Sequence, residues 1–179
     1  EYVDRIVCVG EVGLDFTPKF IRNAEDKELQ LAAFREQIEL AKKNSLPLNV
    51  HSRSAAPQIF KLLDEYEYYD VLMHAYGGKA KRAALYAKKG VYFSVPNTAA
   101  KEDSQMQNMI KLVPIDKLLL ETDSPALSLV PRTVNEPKNL ILSAQVIAKV
   151  KKLPVEEVIA ITRNNTLRLF GRITKLIKL

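Results

Sequence analysis

Cysteine is almost missing from this sequence. Cys8 stands alone, so no internal disulfide can staple the chain, and such usage fits a reducing compartment. Histidine occurs only twice, as His51 and His74. No apolar run approaches the length needed to span a bilayer, and no signal peptide is recognisable at the start, so the expected location is nucleus or cytoplasm. Low-complexity tracts and internal repeats are also missing, which argues against extensive disorder. The basic residues form no block. A net charge of +6 permits an anionic partner such as nucleic acid, but the lysines are scattered along the chain.

What is present is a globular composition. With 47% hydrophobic residues over 179 positions, the chain has ample material for the core of one domain, taken here as residues 1–179. It begins with Glu1 rather than methionine, which reads as a fragment or a processed form. Strand-like apolar runs lie at 5–10, 47–50, 70–73, 91–95 and 117–120. Their β-branched, two-sided apolar character fits parallel strands covered on both faces. Helical patterns alternate with them at 26–44, 54–66, 79–89 and 102–112, and two more follow at 137–152 and 155–170. Cys8, inside the first apolar run, reads as inert packing. Strand–helix alternation implies right-handed crossovers and an α/β fold with a parallel sheet.

The informative positions are those that follow each strand. Glu11 interrupts "VCVGEVGLDF", between Gly10 and Gly13, where the glycines indicate a backbone that something must approach closely. His51 follows "PLNV", His74 follows "DVLM", and Asp123 follows "KLLLE". Ligands and catalytic groups collect at the C-terminal ends of parallel strands. One histidine there would be an ordinary hydrogen-bonded residue, but two imidazoles and two carboxylates repeating one position read as a metal site. That donor set suits Zn²⁺, Mn²⁺ or Fe²⁺, with Mg²⁺ admitted if carboxylate and water dominate.

Taken in order, "VGEVGLDF", "LPLNVHSRSA", "LMHAYGGKA", "VYFSVP" and "LLLETDSPAL" resemble the TatD family of metal-dependent deoxyribonucleases, within the amidohydrolase-type TIM barrels. The resemblance runs from Cys8 to Phe170. "NEPKNL" at 135–140, with "HSRSA", is most similar to the third eukaryotic TatD-domain-containing paralogue. "HAYGG" departs from the more usual phenylalanine-and-serine form. The resemblance implies the five-strand C-terminal portion of a (β/α)8 barrel. It makes Glu11 a carboxylate bridging two metals and His51 and His74 the ligands of the second. Asp123 becomes a ligand of the first metal or the acceptor of the attacking water's proton. Asp15 and Arg53 take supporting or phosphate-contacting roles, with a surface ion pair as the alternative for the two. Two divalent ions (Mg, Mn or Zn) and DNA as substrate are implied with them.

The family's opening His-x-His motif has no match here, so the resemblance implies a hydrolase domain that is N-terminally incomplete. Five strands cannot close a barrel of that size. The functional expectation is a metal-dependent deoxyribonuclease or the C-terminal portion of one. The alternatives are a small-molecule hydrolase of the same superfamily and a non-catalytic truncated form.

Overall fold

A computed structural model of the chain describes residues 3–101 and 104–176. Five strands form one parallel sheet in the order β1 (Val9–Gly13), β2 (Leu48–His51), β3 (Val71–Met73), β4 (Tyr92–Pro96) and β5 (Leu118–Glu121). The connecting helices are α1 (Ala24–Asn44), α2 (Ala56–Glu65), α3 (Ala80–Lys89) and α4 (Ser104–Leu112). After β5 come α5 (Leu140–Lys151), α6 (Val155–Leu169) and the short α7 (Ile173–Leu176). The α/β class, the parallel sheet and the surrounding helices are those expected from the apolar periodicity.

Strand alternation divides the sheet into two faces. Val50, Val71, Met73, Phe93, Val95 and Leu118 point to the main core, where the helices bury them. The opposite face carries Leu72, Tyr92 and Leu119, covered by Leu169 and Phe170 at the end of α6. Continuing that second face towards the strand ends gives His51, His74, Ser94 and Glu121. The pleat therefore delivers polar side chains to one rim without a special turn for each.

The helices begin and end for local reasons. Asn23 caps α1 by accepting from the Asp26 N–H at 2.9 Å, Glu25 and Asp26 sit in its first turn, and Lys42 and Lys43 in its last. Ser45 then turns into the left-handed region (φ 50°). α2 starts at Ala56, two residues later than the pattern implied, because Ser54 adopts φ 57° and cannot be helical. Residues 102 and 103, expected to open the fourth helix, lie outside the described residues.

The first strand differs most from expectation. The apolar run at 5–10 predicted a strand ending before Glu11; instead Val3–Arg5 form a 3-10 turn and β1 runs Val9–Gly13, with Glu11 inside it. The register against β2 shifts between Val9 and Val12, a bulge that re-aims Glu11. The two glycines do answer to a close approach, but the neighbour is β2. A Cβ on Gly10 would sit 2.6 Å from the Asn49 Cβ, and one on Gly13 (φ +122°) would collide with the His51 carbonyl oxygen. Cys8 is half-buried just before the strand, and burial pushes its thiol pKa up, consistent with an unreactive packing residue.

Candidate metal centre

Glu11, His51 and His74 each offer a ligand atom, and these atoms all lie within 4.8 Å of one another. The convergence follows from topology: neighbouring strands β1 and β2 carry Glu11 and His51, and His74 follows the next strand, β3. Glu11 Oε1 is 3.2 Å from His51 Nδ1 and 3.8 Å from His74 Nε2. Asp123 approaches from beyond β5, with Oδ1 3.4 Å from His74 Nε2. Its backbone takes φ 61°, a conformation aspartate tolerates better than most residues, and its carbonyl accepts from the Ala126 N–H at 2.8 Å.

Each imidazole turns one nitrogen towards Glu11 and rests the other on a further carboxylate. His51 Nε2 meets Asp15 Oδ2 at 3.2 Å, and His74 Nδ1 meets Glu121 Oε2 at 2.7 Å. A carboxylate on the far nitrogen fixes the tautomer and orientation of a metal-binding histidine. Asp15 is itself held: its Oδ1 accepts from the Thr17 N–H at 2.9 Å, and Gln30 on α1 bonds its backbone through both amide atoms. Desolvation works against the Asp15 carboxylate, yet the hydrogen bonds from Thr17 and His51 hold its pKa below the usual value. Glu121 Oε2 also accepts from the Ser94 hydroxyl at 2.6 Å, while its Oε1 is buried without a hydrogen-bond partner. Burial opposes a charge on His74, but the hydrogen bond to Glu121 and the charges of Glu121, Glu11 and Asp123 outweigh it and raise its pKa to about 8.

Sequence reasoning anticipated Glu11, His51, His74 and Asp123 on one rim, and they are together. Asp15 lies against His51. Arg53 does not pair with it; its side chain lines a cleft beside the histidines. Glu121 and Ser94 were missed. The signal for Glu121 was strand parity, since an acid two residues after Leu119 shares its face. The loop after β5 is anchored by buried Asn135, which donates to the Thr122 carbonyl at 2.6 Å and exchanges hydrogen bonds with Asn97 at 3.3 Å.

One carboxylate and two imidazoles, with a second carboxylate nearby, form a donor set for a borderline divalent ion, and the outer carboxylates are what such ligands require. No helix among the described residues is long and apolar enough to cross a membrane.

Comparison with known proteins agrees with this geometry. The family model described as "TatD related DNase" matches residues 2–171. The human deoxyribonuclease TATDN3 is 43% identical over 177 residues, covering 99% of this chain and 64% of the human protein. The metal-dependent hydrolase YabD of Bacillus subtilis is 34% identical over 172 residues, covering 93% of the chain and 66% of its own length. The crystal structure of YJJV, a TatD homolog of Escherichia coli, superposes with a TM-score of 0.84 at 27% identity, over 94% of this chain and 67% of that one. The chain thus spans about two thirds or less of the proteins it matches, and over that span it belongs to the TatD-related DNase family.

Proposed function

We propose that residues 1–179 act as a single TatD-type hydrolase unit whose chemistry is divalent-metal-dependent hydrolysis of DNA phosphodiesters. The observation that carries this reading is the convergence of Glu11, His51 and His74 within 4.8 Å, each imidazole backed by its own carboxylate. A divalent ion supplies an activated water and a Lewis acid for a phosphoryl oxygen. Glu11 is assigned the shared carboxylate, and His51 and His74 hold the ion. Asp15 and Glu121 keep the protons on the far nitrogens so that the near ones stay free to ligate. Asp123, whose Oδ1 is 3.4 Å from His74 Nε2, is assigned to ligate a further ion or to accept the proton of the attacking water. Arg53 faces the substrate's negative charge. Family membership and the net charge of +6 favour DNA over an amide or lactone.

The test measures bound divalent metal and chelator-sensitive DNA cleavage for two proteins. One is the chain as given; the other is extended at its N terminus by a segment carrying a His-x-His strand. The chain as given is expected to hold one ion through Glu11, His51 and His74 with little cleavage, and the extended form to cleave DNA. His51→Ala should abolish both metal binding and cleavage. An extended form that binds metal, leaves DNA intact and hydrolyses an amide or lactone would replace DNA with a small-molecule substrate.

A further inference from the structure

The metal centre opens into a cavity of about 750 Å³ that extends away from β1, past His51 and His74, to the starts of α2 and α3. Charge is segregated along it. Glu11 and Asp15 line a separate recess on the β1 side, whereas among the described residues Asp123 is the only carboxylate in the larger cavity, which also holds Arg53, Lys79 and Arg82. None of these three cations has a side-chain hydrogen bond or ion pair among the described residues. Some cations elsewhere are matched, as Lys89 is with Asp64 at 2.6 Å and Arg22 with Asp26 at 3.2 Å. The helix that carries Arg82, "AKRAALYAKK", contains no acid at all.

The helix termini beside the cavity add no counter-charge. α2, whose first residues line it, and α3, whose N-cap Lys79 lines it, have neither an acid in the first turn nor a side-chain cap. The N-terminal ends of both helices add positive potential to that of the cations. One bound divalent ion neutralises a phosphate at the metal centre but does nothing for a negative group placed towards α3.

We propose that Arg53, Lys79 and Arg82 form a second anion subsite that takes a backbone phosphate next to the one held at the metal centre, so that the ligand is a polynucleotide strand. This inference rests on the DNA reading above and assigns Lys79 and Arg82 to length recognition. Arg53, nearest His51 in the chain, links the two subsites.

The test is fluorescence anisotropy with a labelled single-stranded DNA octamer carrying phosphorothioate linkages, which keep the charge and resist cleavage. The metal-loaded chain is compared with Lys79→Gln/Arg82→Gln and with Lys79→Glu, and Mn²⁺ binding is titrated in each to show that the fold and metal centre are intact. The double variant should bind the octamer at least tenfold more weakly at 0.1 M salt. The slope of log K against log salt should become shallower by roughly 0.7, the value for one phosphate contact removed. Lys79→Glu should weaken binding in the same direction. If octamer binding and salt slope stay unchanged in both variants, the subsite is overturned and the DNA reading survives. If the metal-loaded parent chain binds no octamer, the DNA reading fails and takes this inference with it. Inorganic pyrophosphate binding as tightly as the octamer, with the same loss in the variants, would identify a small free anion as the ligand and overturn the polynucleotide assignment.

Discussion

His74 is held between two demands. Its Nδ1 donates to Glu121 at 2.7 Å while its Nε2 faces Glu11 and Asp123. Glu121 is the residue that decides which nitrogen is free, and Ser94 fixes Glu121 from the neighbouring strand at 2.6 Å. Replacing Glu121 by Gln keeps the shape but removes the charge that makes the imidazole a better donor. Divalent-metal affinity of Glu121→Gln, measured by competition with a chromophoric chelator, is expected to fall about 10–100-fold. Asp15→Asn should do the same through His51, whereas Glu136→Gln, exposed and paired with Lys138, should leave affinity unchanged. Glu11, His51, His74 and Asp123 stood out in the sequence because a histidine or an acid at the end of an apolar run is conspicuous. It hid Glu121 because that acid looks like part of the same strand ending as Asp123. Only the pleat, and the pairing of β5 with β4, show that it faces His74 and Ser94.

Between elements, α2 and α3 are clamped by one carboxylate. Asp64, near the end of α2, accepts from Tyr86 and Lys89 on α3 at 2.6 Å each and from Tyr69 at 2.9 Å, while Phe60 stacks on Tyr86 with ring centroids 3.9 Å apart. Desolvation opposes its ionisation, but the bonds from Lys89, Tyr86 and Tyr69 lower the Asp64 pKa below its ordinary value, and burial with Asp64 beside it pushes Tyr86 up to about 12. A lowered folded-state carboxylate pKa gives stability that is present above the unfolded value and lost as pH falls through the folded one. Asp64→Asn is therefore expected to cost about 1 kcal/mol in urea titrations at pH 7. The deficit should shrink as the pH falls below 3.8 and protonates the parent's carboxylate. On the other edge, Gly13→Ala forces a side chain into the His51 carbonyl at φ +122° and should cost more than the ~1 kcal/mol of an ordinary glycine replacement, with weakened metal binding because β1 must move off β2. Helix α1 was legible almost to the residue because Asn23, the acids of its first turn and its final lysines announce both ends. β1 was placed too early for the opposite reason: a bulge and a 3-10 turn follow from pairing with β2, and no local apolar pattern encodes a partner.

For the molecule as a whole, the metal centre joins segments far apart in sequence: Glu11 in β1, His51 in β2 and His74 after β3. Among the described residues β1 is an edge strand, paired on one side only, and its burial is partial along its length. It is thus the strand that the fold holds least firmly. An ion bound through Glu11, His51 and His74 ties this edge to the two strands beside it, and the unfolded chain has no such cluster to compete for it. Linkage then sets the size of the effect: at free metal 100-fold above Kd the folded state gains about 2.7 kcal/mol. For a chain of this length that corresponds to a Tm higher by roughly 5–11 °C, at about 2–4 °C per kcal/mol. Thermal unfolding followed by circular dichroism, with saturating Mn²⁺ or Zn²⁺ and again with excess EDTA, should show that difference. His51→Ala should melt at one temperature in both conditions, because two donors are left to hold an ion that needs three. The same shift in His51→Ala as in the parent would mean that the ion binds elsewhere, and equal melting of the parent with and without metal would mean that the three ligands do not close on one.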